Sequence, residues 1–282
     1  MGQQIHWFPG HMNKALNEVE NKVKLVDVVI ELFDARAPLS SINENLAKIT
    51  NNKKKLVVLT KTDLADPVQT KKWQEELKKQ FDSIVALDLK SANAEQILSR
   101  EVINLGQDKW AKDKAKGMKP QPIRAMIIGI PNVGKSSLIN RLAKRKAAGV
   151  QNKPGYTRGE QWIKVNKDFL LLDTPGILPM NYEDKQKAIN LALIGAIRDE
   201  ILPNEVLGEH LINFLQNHYP NALNRFDIAE IKDRITVLNQ ICERRKILNS
   251  VGENDLLRAE ALLLKEFKDG LLGKITIEWY ES

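Results

Sequence analysis

Residues 129–136 read Gly-Ile-Pro-Asn-Val-Gly-Lys-Ser, a G-x-x-x-x-G-K-S run that starts where the apolar stretch 123–129 ends. Glycines at these spacings let backbone N–H groups wrap a phosphate chain, and a helix opening at Lys135 adds the positive end of its dipole. In such a loop Lys135 reaches the outer phosphates, and the Ser136 hydroxyl serves Mg2+. Asn132, Val133, Gly134 and Ser137 complete the cradle. Downstream, Asp173-Thr174-Pro175-Gly176 follows the apolar residues 169–172. An Asp at a strand end can hold Mg2+ through water, and Gly176 can bring its N–H close to a terminal phosphate because it lacks a side chain. Between the two lies Pro154-Gly155-Tyr156-Thr157. Thr157 is expected to give Mg2+ its second hydroxyl when that loop closes, with Thr174 as the competitor.

A base-reading motif lies upstream of the phosphate loop. Thr60-Lys61-Thr62-Asp63 ends a second apolar stretch. Asp63 can accept two hydrogen bonds from the N1–H and the 2-amine of guanine. Adenine offers neither donor, and a buried carboxylate left unpaired costs on the order of several kcal/mol. Lys61 would lay its stem along the base plane. Thr60 stands where Asn is commoner and offers fewer hydrogen bonds. Ser91-Ala92 is placed to meet the guanine O6 through the backbone. The motif order is therefore base, Ser-Ala, phosphate loop, Thr loop, Asp-Thr-Pro-Gly, a circular permutation of the order usual in GTPases. A ligand on the C-terminal edge of a parallel sheet senses where strands end, not their order along the chain. The expected ligands are GTP and GDP.

These motifs need a sheet to hold them. Apolar runs at 27–34, 55–60, 84–89, 123–129, 161–165 and 169–173 alternate with helical patterns. That rhythm predicts an α/β domain, residues 1–180, with a mostly parallel sheet covered on both faces. After Gly176, spacing near 3.6 dominates, as in Ile189, Leu193, Ile197 and in Ile231, Ile235, Leu238, Ile241. A smaller, mostly helical domain, 181–282, is expected, ending in a short strand at Ile275–Tyr280. Residues 107–122 read as a helix end followed by an exposed basic loop.

Composition bounds the rest. With 282 residues, 43% hydrophobic and 28% charged, the chain is ordinary globular material for one large or two ordinary domains. No run approaches the ~18 apolar residues of a membrane span, and the N-terminus lacks a basic start with an apolar stretch. A cytoplasmic protein with no integral membrane association is expected. Cys242 is alone, which excludes an internal disulfide and a cysteine zinc site. Residues 1–181 carry 30 Lys and Arg against 19 Asp and Glu, whereas 182–282 carry 13 against 17. Attraction to a polyanion must come mainly from the first two-thirds.

Permutation has two consequences. Asp173–Gly176 runs almost directly into the helical domain, so loss of a γ-phosphate is expected to change the angle between the domains. The helix that usually follows this loop must be rebuilt from the segment before residue 27, where Ala15, Leu16, Val19 and Val23 show helical spacing. His11 would then begin near the phosphates. Many GTPases orient the attacking water with a Gln at the position of Ile177; neither Ile177 nor Leu178 can. His11 is the candidate for that role, the alternative being that Trp7, Phe8 and His11 only anchor the terminus. Without the Gln or a certain arginine finger, hydrolysis should be slow alone. Arg36, in Asp34-Ala35-Arg36-Ala37-Pro38, more often pairs with a neighbouring carboxylate. Asn132 could help hold a monovalent cation beside the phosphates.

Taken together, WFPGHM, DARAP, TKTD, GIPNVGKSS, PGYT and DTPGIL, in this order, resemble the ribosome biogenesis GTPase A (RbgA/YlqF) family of circularly permuted GTPases. The resemblance covers nearly the whole chain. It implies a cytoplasmic factor for late assembly of the bacterial large (50S) ribosomal subunit. It further implies a helical C-terminal domain that contacts rRNA, GTPase activity stimulated by the large subunit and by K+, and a role for His11 in hydrolysis. No DNA partner is implied. Two basic stretches fit the RNA partner: 141–164, with Arg141, Lys144, Arg145, Lys146, Lys153, Arg158 and Lys164, and 108–124, with Lys109, Lys112, Lys114, Lys116, Lys119 and Arg124. Arg244-Arg245-Lys246 could touch phosphates in the helical domain, which otherwise departs from the pattern in being net acidic.

Overall fold

The computed structural model describes residues 10–144, 162–172, 174, 177, 184–197 and 201–281, and the side chains of all of these but 10–12, 143 and 144. Its frame is a six-stranded sheet made of β1 (Val28–Asp34), β2 (Lys54–Thr60), β3 (Ser83–Ala86), β4 (Ile123–Gly129), β5 (Trp162–Lys164) and β6 (Phe169–Leu172). The order across the sheet is β3-β2-β1-β4-β6-β5, all parallel except β5, which is antiparallel to β6. β1 is buried at every residue, as befits the centre of a sheet covered on both sides. The 84–89 run is strand only to Ala86. Leu87 N–H still donates to Leu59 O of β2 (2.9 Å), after which the chain turns toward the next helix.

Alternation along the strands sorts the covering helices. Val28, Ile30 and Leu32 face α4 (Ala94–Ala115) and α5 (Lys135–Lys144), through Leu98, Val102, Leu138 and Leu142. Val29 faces α1 (Gly10–Val23), whose Ala15, Leu16, Val19 and Val23 form the expected apolar stripe, and Leu46 of α2 (Glu44–Ile49) joins the same cluster. Phe33 and Val57 face α3 (Pro67–Leu77) through Leu77. Burying each such Leu, Ile or Val contributes about 1.5–3 kcal/mol, which holds a short helix where propensity alone would not. Asp66 caps α3 by accepting from the N–H groups of Val68 and Gln69, with Pro67 in the first turn.

The C-terminal third is helical: α6 (Lys185–Leu193), α7 (Asn204–His218), α8 (Arg234–Arg245) and α9 (Leu256–Lys268). Its apolar side chains join those of the sheet's α4–α5 face in one continuous core. The 3.6-residue spacing fails at Ile235, which is 48% exposed on α8. Residues 275–280 do not form the expected strand. Their backbone finds loop carbonyls instead of a sheet edge: Ile275 N–H donates to Leu64 O (3.0 Å) and Ile277 N–H to Arg36 O (2.8 Å).

Candidate nucleotide-binding site

The C-terminal ends of β1, β2 and β4 bring Asp34, Thr60 and Gly129 to one edge of the sheet. At Gly134 the backbone adopts φ +105°, and a Cβ there would stand 3.0 Å from Leu89 Cδ1. At Gly129 a Cβ would approach Leu32 O to 2.9 Å. Both positions need glycine for the loop to fold tightly under its ligand. Asn132 lies between them in the left-handed region (φ 58°), which Asn tolerates better than most residues. Lys135 opens α5, Ser136 and Ser137 are exposed in its first turn, and Val133 is buried beneath the loop.

Thr60 ties the base motif to this loop. Its buried hydroxyl lies 2.6 Å from Val133 O and 3.1 Å from Phe33 O. One proton serves one acceptor well, and the shorter contact is the one to the phosphate loop. Lys61 follows in the left-handed region (φ 54°), with Nζ 3.5 Å from the buried Asp34 carboxylate. Burial pushes the Asp34 carboxyl up, but Arg36 and Lys61 outweigh it and hold the group below the ordinary carboxylate range. Burial pulls the Lys61 ammonium below its ordinary value, against the opposing pull of Asp34. Arg36 indeed pairs with its neighbouring carboxylate, in a fork of 3.0 and 2.9 Å to Asp34.

Asp63 stands at the mouth of the site with Lys90 Nζ 2.7 Å from one oxygen. It is not the buried carboxylate, left unpaired by adenine, that the motif leads one to expect. In this structure it is 31% exposed and paired through a lysine that is itself 81% exposed. Ser91 and Ala92 are exposed in the turn before α4. Arg141, on the phosphate-loop helix, reaches across and donates to Leu89 O (2.7 Å) and to Ser91 O. This link was missed because Arg141 reads as one basic residue among many, and nothing local marks its target fifty residues away.

Asn132 donates its amide Nδ2 to Gly195 O (2.7 Å), just past α6, so its amide oxygen alone is left for a cation. The Thr174 hydroxyl donates to Ile127 O in the sheet, which commits the competitor of Thr157 to a structural bond. Thr157, Asp173, Gly176 and Leu178 lie outside the described residues. Ile177 N–H donates to Gly129 O (3.2 Å), and its side chain is buried against α1. His11 falls in the first turn of α1; its side chain is not among those described. The far end of α1 leads into β1 at the edge opposite Gly129, and the 14 residues of the helix span about 20 Å.

Comparison with known proteins decides what this edge belongs to. Residues 124–245 match the family model described as a 50S ribosome-binding GTPase, which starts at β4 and so leaves out the upstream base motif. The chain is 42% identical over 280 residues to ribosome biogenesis GTPase A of Bacillus cereus, covering 99% of this chain and 95% of that one. It is 41% identical to the Bacillus pumilus protein of the same name, covering 99% of each. The chain belongs to the ribosome biogenesis GTPase A family. It is a GTPase and binds GTP. A solved structure titled as GDP-bound TM YlqF superposes with TM-score 0.67 at 25% identity, covering 94% of this chain and all of that one. As a GTPase the family member needs Mg2+. The exposed Ser136 hydroxyl in the first turn of α5 fits that ion's preference for hard oxygen ligands. Among the described residues, no helix is long and apolar enough to cross a membrane.

Proposed function

We propose that this GTPase is a cytoplasmic factor acting late in assembly of the bacterial large (50S) ribosomal subunit. It binds the subunit's rRNA in the GTP state and couples hydrolysis to its own release. The observation that carries the nucleotide half of this reading is the bond from Thr60 to Val133 O. It joins the upstream base motif to the downstream phosphate loop, as a permuted pocket requires.

In this reading Asp63 takes the guanine N1–H and 2-amine, Lys61 covers the base plane, and the Ser91-Ala92 backbone meets O6. Asn132 through Ser137 wrap the phosphates, with Gly176 at the γ-phosphate. Ser136, Thr157 and Asp173 hold Mg2+, which neutralises charge developing between the outer phosphates. His11 orients the attacking water. What supports this is that His11 lies in the first turn of α1, about 20 Å from the end that enters β1, and that Ile177 cannot do the work in its place. The Asn132 amide oxygen is the ligand this reading gives to K+. Replacing K+ by Na+ should then slow hydrolysis in the wild type and leave Asn132→Ala indifferent.

In this reading residues 1–180 act as the GTPase domain and 181–282 as the helical domain, with Arg244, Arg245 and Lys246 as its phosphate contacts. Most of the basic surface lies elsewhere. Lys109 is spent on Asp27 and Pro122 O, and Arg141 on the Ser91 turn. Lys112, Lys114, Lys116, Lys119 and Lys164 remain exposed at the sheet edge opposite the nucleotide. Six or more phosphate contacts would cost about a thousandfold or more in affinity between roughly 50 and 200 mM salt. The deciding experiment is co-sedimentation with purified large subunits in a non-hydrolysable GTP analogue and in GDP, followed by subunit-stimulated phosphate release. Binding only with the analogue, steep in salt, and a stimulation lost in His11→Ala support the reading. Equal pelleting in both nucleotides removes the coupling, and equal rates return His11 to an anchoring role.

A further inference from the structure

Arg36 is a large charged side chain, only 2% exposed, and the hydrogen bonds described for it run to Asp34, Ile194 and Lys268 rather than to the phosphate loop. Its guanidinium is committed on all sides. Nε and Nη2 hold the two Asp34 oxygens at 3.0 and 2.9 Å, Nη2 also donates to Ile194 O (3.1 Å), and Nη1 donates to Lys268 O (3.3 Å). The Arg36 backbone N–H adds a third bond to Asp34 Oδ1 (3.0 Å). A side chain so engaged is no arginine finger. Its effect must pass through the carboxylate it fixes.

That carboxylate ends β1 and faces Lys61 on the neighbouring strand end, at 3.5 Å. Lys61 occupies a left-handed bend that side-chain-bearing residues rarely adopt, and the contact to Asp34 supplies a reason to stay there. We propose that Arg36 is a positioning residue for guanine recognition: it immobilises Asp34, and Asp34 holds Lys61 in the bend from which its stem meets the base. Only an arginine suits the position. A planar fork can clamp both carboxylate oxygens and still spare N–H groups for two carbonyls, which a lysine ammonium cannot do. The two carbonyls belong to the turn after α6 and the end of α9. The same turn, one residue on, accepts from Asn132 of the phosphate loop. The helical segment thus braces both halves of the pocket, the base side through Arg36.

This inference rests on the reading that Lys61 and Asp63 take the base, so the test carries a separate control for that reading. Equilibrium titration with a fluorescent GDP compares Arg36→Lys, Arg36→Met, Asp34→Asn, Lys61→Ala and the double variant Arg36→Met/Lys61→Ala, all as full chains. Arg36→Met and Lys61→Ala should each weaken GDP about tenfold or more, as expected for loss of a charge-assisted contact. The double variant should be no weaker than the worse single one, because both remove the same support. Arg36→Lys should fall between, with KM for GTP raised and kcat at saturation kept. Should Arg36→Met not fold, Arg36→Lys and Asp34→Asn carry the test. Wild-type GDP affinity in folded Arg36 and Asp34 variants, or losses that multiply in the double variant, would overturn the proposal. Asp63→Asn binding GDP as well as wild type would instead strike the base-site reading.

Discussion

Asp63 and Lys90 show how far a motif's chemistry depends on the company it keeps. The carboxylate expected to read guanine is held by an exposed ammonium 2.7 Å away. Surface pairs of this kind contribute about 0–1 kcal/mol, so two N–H donors from a base displace Lys90 easily. The same lysine removes part of the penalty that adenine would meet, since Asp63 need not be left bare. Lys90→Ala should therefore change GDP affinity by less than about fivefold while widening the gap between GDP and ADP; competition titration of the two nucleotides measures it. Thr60 carries more weight, because its hydroxyl is buried and joins two motifs. Thr60→Ala leaves Val133 O without that donor and should weaken GDP by about five- to tenfold, whereas Thr60→Ser should retain most of it. A Thr60→Ala variant with unchanged affinity would show that the two motifs do not need this bond.

Among the elements, strands and covering helices were legible where burial alone decides them. Continuous apolar runs such as 28–34 and 123–129 became central strands, and the stripe Ala15, Leu16, Val19, Val23 became the buried face of α1. Legibility failed where hydrogen-bond partners lie far along the chain. Residues 275–280 alternate like a strand, yet their donors meet the Leu64 and Arg36 carbonyls, which no local pattern announces. Ile235 failed for a related reason: α8 turns a neighbouring stripe, Val237, Leu238 and Ile241, to the core. Of the candidate site, motif identity and order were readable; the cross-links through Arg141, Arg36 and Asn132 were not. Glu31, a carboxylate buried in the middle of β1, makes a test at this scale. Burial pushes its carboxyl from 4.5 up to about 7, against the opposing pull of Lys55. The folded chain therefore holds this proton more firmly than the unfolded one. Its contribution is complete below about pH 4.5 and declines as pH rises toward 7, by roughly 3 kcal/mol in all. Glu31→Gln should match wild type near pH 5 and exceed it by about 1–3 kcal/mol near pH 8, as read from urea midpoints at both pH values. An equal gain at both would mean that the ionisation is not what burial opposes.

For the molecule as a whole, the unequal fastening of the helical segment decides what a nucleotide-driven change could move. On the base side it is held in depth. Thr276 Oγ1 accepts from Asp66 N–H (3.1 Å), Trp73 Nε1 donates to Glu278 O (2.7 Å), and Tyr280 N–H donates to Gln69 Oε1 (2.9 Å). The Glu278 carboxylate accepts from Ser40 N–H (2.8 Å) and from Asn190 Nδ2 (3.2 Å), closing the same corner. On the phosphate side, the side-chain bond described between the loop and this segment runs from Asn132 to Gly195 O. Rotation about the base side would break that hydrogen bond, about 1 kcal/mol net, and shift the apolar contacts of α6 on the sheet's α4–α5 face, whereas rotation about the phosphate side would break many hydrogen bonds as well. A hinge at residues 275–280, with motion at the turn after α6, follows from that asymmetry. Hydrogen exchange in GDP and in a non-hydrolysable GTP analogue should leave the Ile275 and Ile277 amides equally protected. The amides of Gly195 and Ala196 should change severalfold or more. Protection lost at Ile275 and Ile277, with Gly195 unchanged, would place the pivot on the phosphate side and reverse the direction in which hydrolysis swings the helices.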